Sequence, residues 1–127
     1  MADKNHTGYP ASSVTLVTEQ IIKLLCFDAM EPSSSVSDRK SYGNNRYIHS
    51  NLRQWLNSDK AAGQWYTAQH STDAPPSTAN VWSGCNAYDT LAGFLNAFTA
   101  DERAALLATT SRSARAAPTG AGRKPAW

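Results

Sequence analysis

Two long stretches of this chain, residues 28–47 and 59–89, are dominated by Ser, Asn, Asp, Gly and Pro rather than by periodic apolar residues. The first opens on Asp28 and carries Glu31-Pro32 and the run Ser33-Ser34-Ser35; the second contains Gly63, Pro75-Pro76 and Gly84. Such segments have little to bury and read as loops, and loops of this length are commonly functional or mobile. Regular structure is therefore confined to short runs between them.

The early run Val14-Thr15-Leu16-Val17 is β-branched and predicts a strand. The next apolar run, Ile21 to Phe27, fits either a short helix capped by Thr18 or a second strand over Lys23 to Phe27; the strand is preferred because the run stops at Asp28. Ser50 can cap a helix whose Leu52, Trp55 and Leu56 recur at i, i+3 and i+4, with Asn57 and Ser58 closing it. Leu91, Phe94, Leu95 and Phe98 are again at helical spacing, and Thr99-Ala100-Asp101-Glu102 is a capping box leading into Ala104 to Leu107. Residues 1–13 read as a turn or loop.

With 127 residues, an apolar fraction of 41% and a charged fraction of 17%, the chain has the make-up of one globular domain. The net charge of +2 hides an asymmetry: all ten acidic residues precede position 103, whereas Arg112, Arg115, Arg123 and Lys124 follow position 110. Residues 1–110 are thus slightly acidic and lack the clustered positive field of a nucleic-acid binder. Residues 111–127 have no Leu, Ile, Val or Phe and read as a basic, disordered tail. No apolar run reaches the length of a membrane span, and the start, MADKNHTGYP, shows no secretory h-region.

The chemistry-bearing residues are sparse. His6, His49 and His70 are far apart; His70 with Asp73 could orient a general base, but no nucleophile motif accompanies it. Asp28, Glu31 and Asp38 fit no standard calcium loop and read as solvated loop acids. Cys26 and Cys85 form no metal motif; they stand as two reduced thiols or as one long-range disulfide. No catalytic residue, metal site or cofactor is expected. The more informative set is Trp65, Tyr66, Trp82 and Tyr88, in loops rich in small polar residues, together with Asn44 and Asn45 in the run Tyr42 to Tyr47. Aromatic rings among amide side chains can stack on a sugar or grip a flat protein surface, or can simply pin the loops to the body. Arg53, beside the helix tryptophan, is expected to bury its stem and bond loop carbonyls.

The run Ser50-Asn51-Leu52-Arg53-Gln54-Trp55-Leu56-Asn57 resembles the hallmark of a domain family of unknown function, number 6273, met in bacterial surface-type and prophage proteins. Val14 to Glu19, Lys23 to Asp28 and Phe94 to Glu102 resemble its other blocks, in the family's order. The resemblance implies core and cap roles for these residues and carries over no catalytic residue. It also implies flanking strands on both sides of the matched blocks. Their absence here reads as a chain truncated at both ends, with the residues after Thr110 a candidate frameshift product.

The expected fold is α+β: a small, mainly antiparallel sheet with two or three short helices and long loops over residues 1–110, C-type-lectin-like by analogy. The expected function is a non-catalytic recognition or structural module of a prophage- or cell-surface-type protein, with a glycan or another protein as partner and neither nucleic acid nor membrane. The alternatives are a cell-wall or sugar hydrolase fragment using His70 and Asp73, and a non-functional reading frame.

Overall fold

A computed structural model describes residues 2–4, 7, 9–83, 85 and 87–106. The basic tail and His6 lie outside the described residues. The chain divides into two units, of which one contains Ala2–Leu16 and the other Val17–Leu106.

In the first unit, β1 (Ala2–Lys4) pairs antiparallel with β2 (Val14–Leu16), with Ala2 opposite Leu16 and Lys4 opposite Val14. The strand expected from Val14 is present. The turn expected over residues 1–13 is corrected by β1, whose Ala-Asp-Lys sequence carries no strand signal. Its backbone pairing, rather than side-chain propensity, makes it a strand.

The second unit holds three short α-helices, α1 (Ser37–Tyr42), α2 (Asn51–Leu56) and α3 (Ala100–Ala105), and 3₁₀ turns at Tyr47–His49 and Phe94–Ala97. Helix α2 forms as its sequence predicts. Ser50 is fully buried, and its hydroxyl accepts the Arg53 amide at 3.2 Å and donates to the Tyr47 carbonyl at 2.9 Å. The α2 face packs through Trp55 against Trp65 and Leu91, with Leu25, Leu52, Leu56, Tyr66, Tyr88 and Phe94 around them. The capping box of α3 is complete, with Thr99 and Glu102 exchanging both bonds. The helical spacing from Leu91 to Phe98 yields only the 3₁₀ turn, because Gly93 is spent on a close crossing. Its amide donates to the Lys60 carbonyl at 2.9 Å, and a Cβ there would lie 2.3 Å from the Ser58 carbonyl oxygen.

Three further expectations are corrected. Lys23 to Phe27 is not a strand: among the described residues no neighbouring strand pairs with it, and Ile21, Ile22 and Leu24 remain exposed. The loop over 28–47 contains α1. Isolated, a six-residue helix would not hold. Here Arg39 anchors it by an Nε–H bond to Glu31 at 3.0 Å, and Gly43 ends it in the left-handed region at φ 73°. The loop-carbonyl bond expected of Arg53 forms, its guanidinium donating to the Ile48 carbonyl at 3.5 Å, but the residue is exposed rather than buried along its stem.

Candidate functional site

The loops of the second unit are fastened by buried polar side chains rather than by a large apolar core. Asp28 is the hub. Its carboxylate accepts the Asn44 amide at 2.7 Å and the Asn51 amide at 2.9 Å, while the Asn51 side chain returns a bond by accepting the Ala29 amide at 2.8 Å. Burial pushes the Asp28 carboxyl above the usual aspartate range. The two amides pull it down, and the negative charges of Glu31 and Asp73 push it further up. Glu31, only 2% exposed, takes the Arg39 guanidinium on one oxygen at 2.9 Å and the Thr72 hydroxyl on the other at 2.7 Å. The reading of these acids as solvated is therefore corrected for Asp28 and Glu31: each buries its charge against matched donors. Asp38 alone is exposed.

The same frame positions the aromatic residues, and it splits the expected set. Trp65 is buried, its indole N–H donating to the Leu91 carbonyl at 2.6 Å. Tyr88 is edge-on to Trp65, with ring centroids 5.2 Å apart, and its hydroxyl donates to the Gly63 carbonyl. Tyr66 stands edge-on to Tyr88. Burial first, and then the charges of Asp73, Asp28 and Glu31, push its phenol up to about 12. Trp65 and Tyr88 are thus occupied in holding the loops, the packing role, and a ring as buried as Trp65 offers no face to a ligand. Asn44 is also buried: its amide is bonded to Asp28 and its side-chain oxygen accepts the Arg46 amide at 2.9 Å. Asn45 is exposed.

Trp82 differs from the rest. It is 54% exposed and stacks nearly parallel on Tyr42, itself 65% exposed, with an interplanar angle of 16° and centroids 6.3 Å apart. Its backbone is held on both sides. The Trp82 amide donates to the Cys26 sulfur at 3.2 Å, and its carbonyl accepts the Cys85 amide at 3.0 Å. Tyr42 comes from the last turn of α1. The structure therefore joins two of the aromatic runs singled out in the sequence, at one member of each.

His70 and Asp73 do meet: Nδ1 lies 3.3 Å from a carboxylate oxygen. The other oxygen of Asp73 accepts the Gln69 and His70 amides at 2.8 and 2.9 Å, so the carboxylate also builds the turn beneath the ring. The His49 ring packs edge-on to His70, at 4.8 Å between centroids. Among the described residues no cluster of three or more His, Cys, Asp or Glu side chains is placed to hold a metal ion, and no helix is long and apolar enough to cross a membrane.

The polar hub was not expected from the sequence. Its only sequence signal is an Asn directly after the capping Ser50 and an Arg eight positions beyond a Glu in a Ser-rich loop, and neither follows a period.

Residues 12–124 fit the family described as Domain of unknown function (DUF6273). Neither a curated protein nor a solved structure matches the chain. The blocks on which the resemblance rests, Val14 to Glu19, Lys23 to Asp28, Ser50 to Asn57 and Phe94 to Glu102, all fall inside the matched span, and the chain belongs to the DUF6273 family.

Proposed function

We propose that residues 17–106 are a non-catalytic recognition module whose binding face is the Tyr42–Trp82 platform, and that its ligand is a glycan. The setting we propose is a prophage- or cell-surface-type protein, with residues 1–110 an α+β domain, C-type-lectin-like by analogy. The antiparallel β1–β2 pair and the three short helices support that architecture.

One observation carries the binding proposal: two large rings lie exposed and stacked nearly parallel, while Trp65 and Tyr88 pack into the core cluster. Aromatic faces give large contact area with few rotatable bonds. A backbone already fixed by hydrogen bonds at Trp82 reduces the ordering cost on binding. Exposed Asn45, three positions beyond Tyr42, supplies an amide of the kind that bonds sugar hydroxyls.

A glycan array followed by titration calorimetry tests the proposal. Trp82→Ala and Tyr42→Ala should each weaken binding by roughly tenfold to a hundredfold, the range of an anchoring aromatic residue. An array without hits, or hits indifferent to both substitutions, would sink the glycan reading. The His70–Asp73 contact favours one competing reading, a hydrolase fragment. Peptidoglycan digestion by the wild-type chain that disappears in His70→Ala would replace recognition with catalysis.

A further inference from the structure

Cys26 and Cys85 are far apart in the sequence, and the fold brings them together through one residue. The Trp82 amide donates to the Cys26 sulfur, and the chain then turns so that the Cys85 amide donates back to the Trp82 carbonyl. Both cysteines are thus fastened to the backbone of Trp82, Cys26 through its sulfur at 3.2 Å and Cys85 through its amide at 3.0 Å, and their thiols are near enough to interact. Both are free and half-buried, open to a small reagent and shielded from a large one.

We propose that Cys26 and Cys85 form an intramolecular disulfide by exchange with a small-molecule disulfide of the oxidised-glutathione class, and that the cross-link fixes the turn carrying Trp82. The thiolate of one cysteine attacks a sulfur of the oxidant, the oxidant's S–S bond breaks, and one reduced glutathione leaves. The second cysteine, deprotonated, attacks the mixed disulfide. The Sγ–Sγ bond forms and a second reduced glutathione leaves. Two protein thiols are oxidised, one oxidant molecule is reduced, and both protons leave on the reduced product. Burial, followed by the bond to Cys85, pushes the Cys26 thiol up to about 11. Little thiolate is present there at neutral pH, so exchange through Cys26 is slow, and the cross-link is a matter of equilibrium rather than of fast redox sensing.

The cross-link joins the segment that ends at the Asp28 hub to the turn that presents Trp82. The cross-link stands independently of what the platform binds; its consequence for ligand affinity rests on the recognition reading above.

The test uses the full chain, equilibrated in oxidised and reduced glutathione over a range of ratios, quenched in acid, alkylated and mapped by mass spectrometry. The expected product is a monomer that has lost two hydrogens, resists alkylation and yields a Cys26 peptide linked to a Cys85 peptide. Cys85→Ser should abolish it. Two alkylated thiols, two glutathione adducts or an intermolecular dimer at every ratio overturns the cross-link. Amide hydrogen exchange then reads the second clause: the Trp82 amide should slow at least tenfold on oxidation, and an unchanged rate in the cross-linked chain overturns the fixing of the turn. Failure of both redox forms to bind glycans would sink the recognition reading and leave the disulfide standing.

Discussion

Replacing Asp28 tests whether polar bonds hold this fold. In Asp28→Ala the buried amides of Asn44 and Asn51 lose their acceptors, which sit at 2.7 and 2.9 Å. An unsatisfied buried donor costs about 1–3 kcal/mol. Removing a carboxylate whose burial is itself unfavourable, as its raised pKa shows, returns part of that cost. The net expectation is a loss of roughly 2–4 kcal/mol, a large share of the about 5–15 kcal/mol by which a domain is stable. Asp28→Asn keeps one acceptor oxygen and turns an NH₂ toward the other amide, so it should lose about half as much. Urea unfolding followed by tryptophan fluorescence reads the difference as a midpoint shift on the order of 1–2 M for Asp28→Ala. The pH dependence has a fixed sign. With its folded pKa raised, Asp28 holds its proton more tightly in the folded chain than in the unfolded one. Its contribution is fully present below the ordinary aspartate value and is lost as pH rises through the raised folded value. Asp28→Asn should remove that slope. Variants that unfold with the wild type, at every pH, would refute the idea that Asp28 organises the loops.

Other perturbations separate the same forces. Gly43→Ala should cost more than Gly63→Ala, although both glycines lie at positive φ, 73° and 76°. A Cβ at Gly43 would meet the Ala29 carbonyl oxygen at 2.5 Å, whereas at Gly63 it meets nothing. Gly63→Ala should lose only the left-handed penalty of about 1–2 kcal/mol, so equal melting temperatures for the two variants would contradict the close approach. Tyr66→Phe should leave stability unchanged or raise it by about 1 kcal/mol, since the buried hydroxyl has no hydrogen-bond partner among the described residues; a clear drop in the unfolding midpoint would show a missed acceptor. Bonds from Thr99 hold the Glu102 carboxyl below the usual glutamate range. The cap of α3 is therefore fully present above the ordinary glutamate value and is lost as pH falls through the lowered one. Amide exchange at Glu102 should quicken over that window in wild type and be fast throughout in Thr99→Ala.

What was legible in the sequence was local. Ser50 followed by Leu52, Trp55 and Leu56 carries a cap and a period together, and Thr99 with Glu102 closes a reciprocal bond within four residues. Tertiary bonds have no such period. Ser37–Tyr42 has no apolar spacing, and it is helical because Glu31 holds Arg39 from outside the helix. The apolar run from Lys23 to Phe27 has good strand composition, yet a strand needs a neighbour. Composition alone also made Trp65 and Trp82 equivalent. Only the positions of the Leu91 carbonyl and the Cys26 sulfur separate a ring that packs from a ring that faces outward.

The polar frame and the exposed platform are connected, and the connection is testable. Residues 26–30 fasten the turn over 80–82 at two points: the Met30 amide donates to the Asn80 carbonyl at 2.8 Å, and the Cys26 sulfur accepts the Trp82 amide. Asp28 lies between those points and is itself tied to Asn44, two positions beyond Tyr42. Both rings of the platform therefore hang from backbone that Asp28 positions, although Asp28 itself is buried. Loosening the hub should loosen the platform before it unfolds the unit. In Asp28→Asn under native conditions, amide exchange at Trp82 should quicken about tenfold, the effect of roughly 1.4 kcal/mol. Buried amides whose bonds do not run through Asp28, such as that of Gly93 on the Lys60 carbonyl, should keep wild-type rates. Faster exchange at Asn44 and Asn51 with no change at Trp82 would show that the platform is held by its own turn, and that Asp28 serves stability alone.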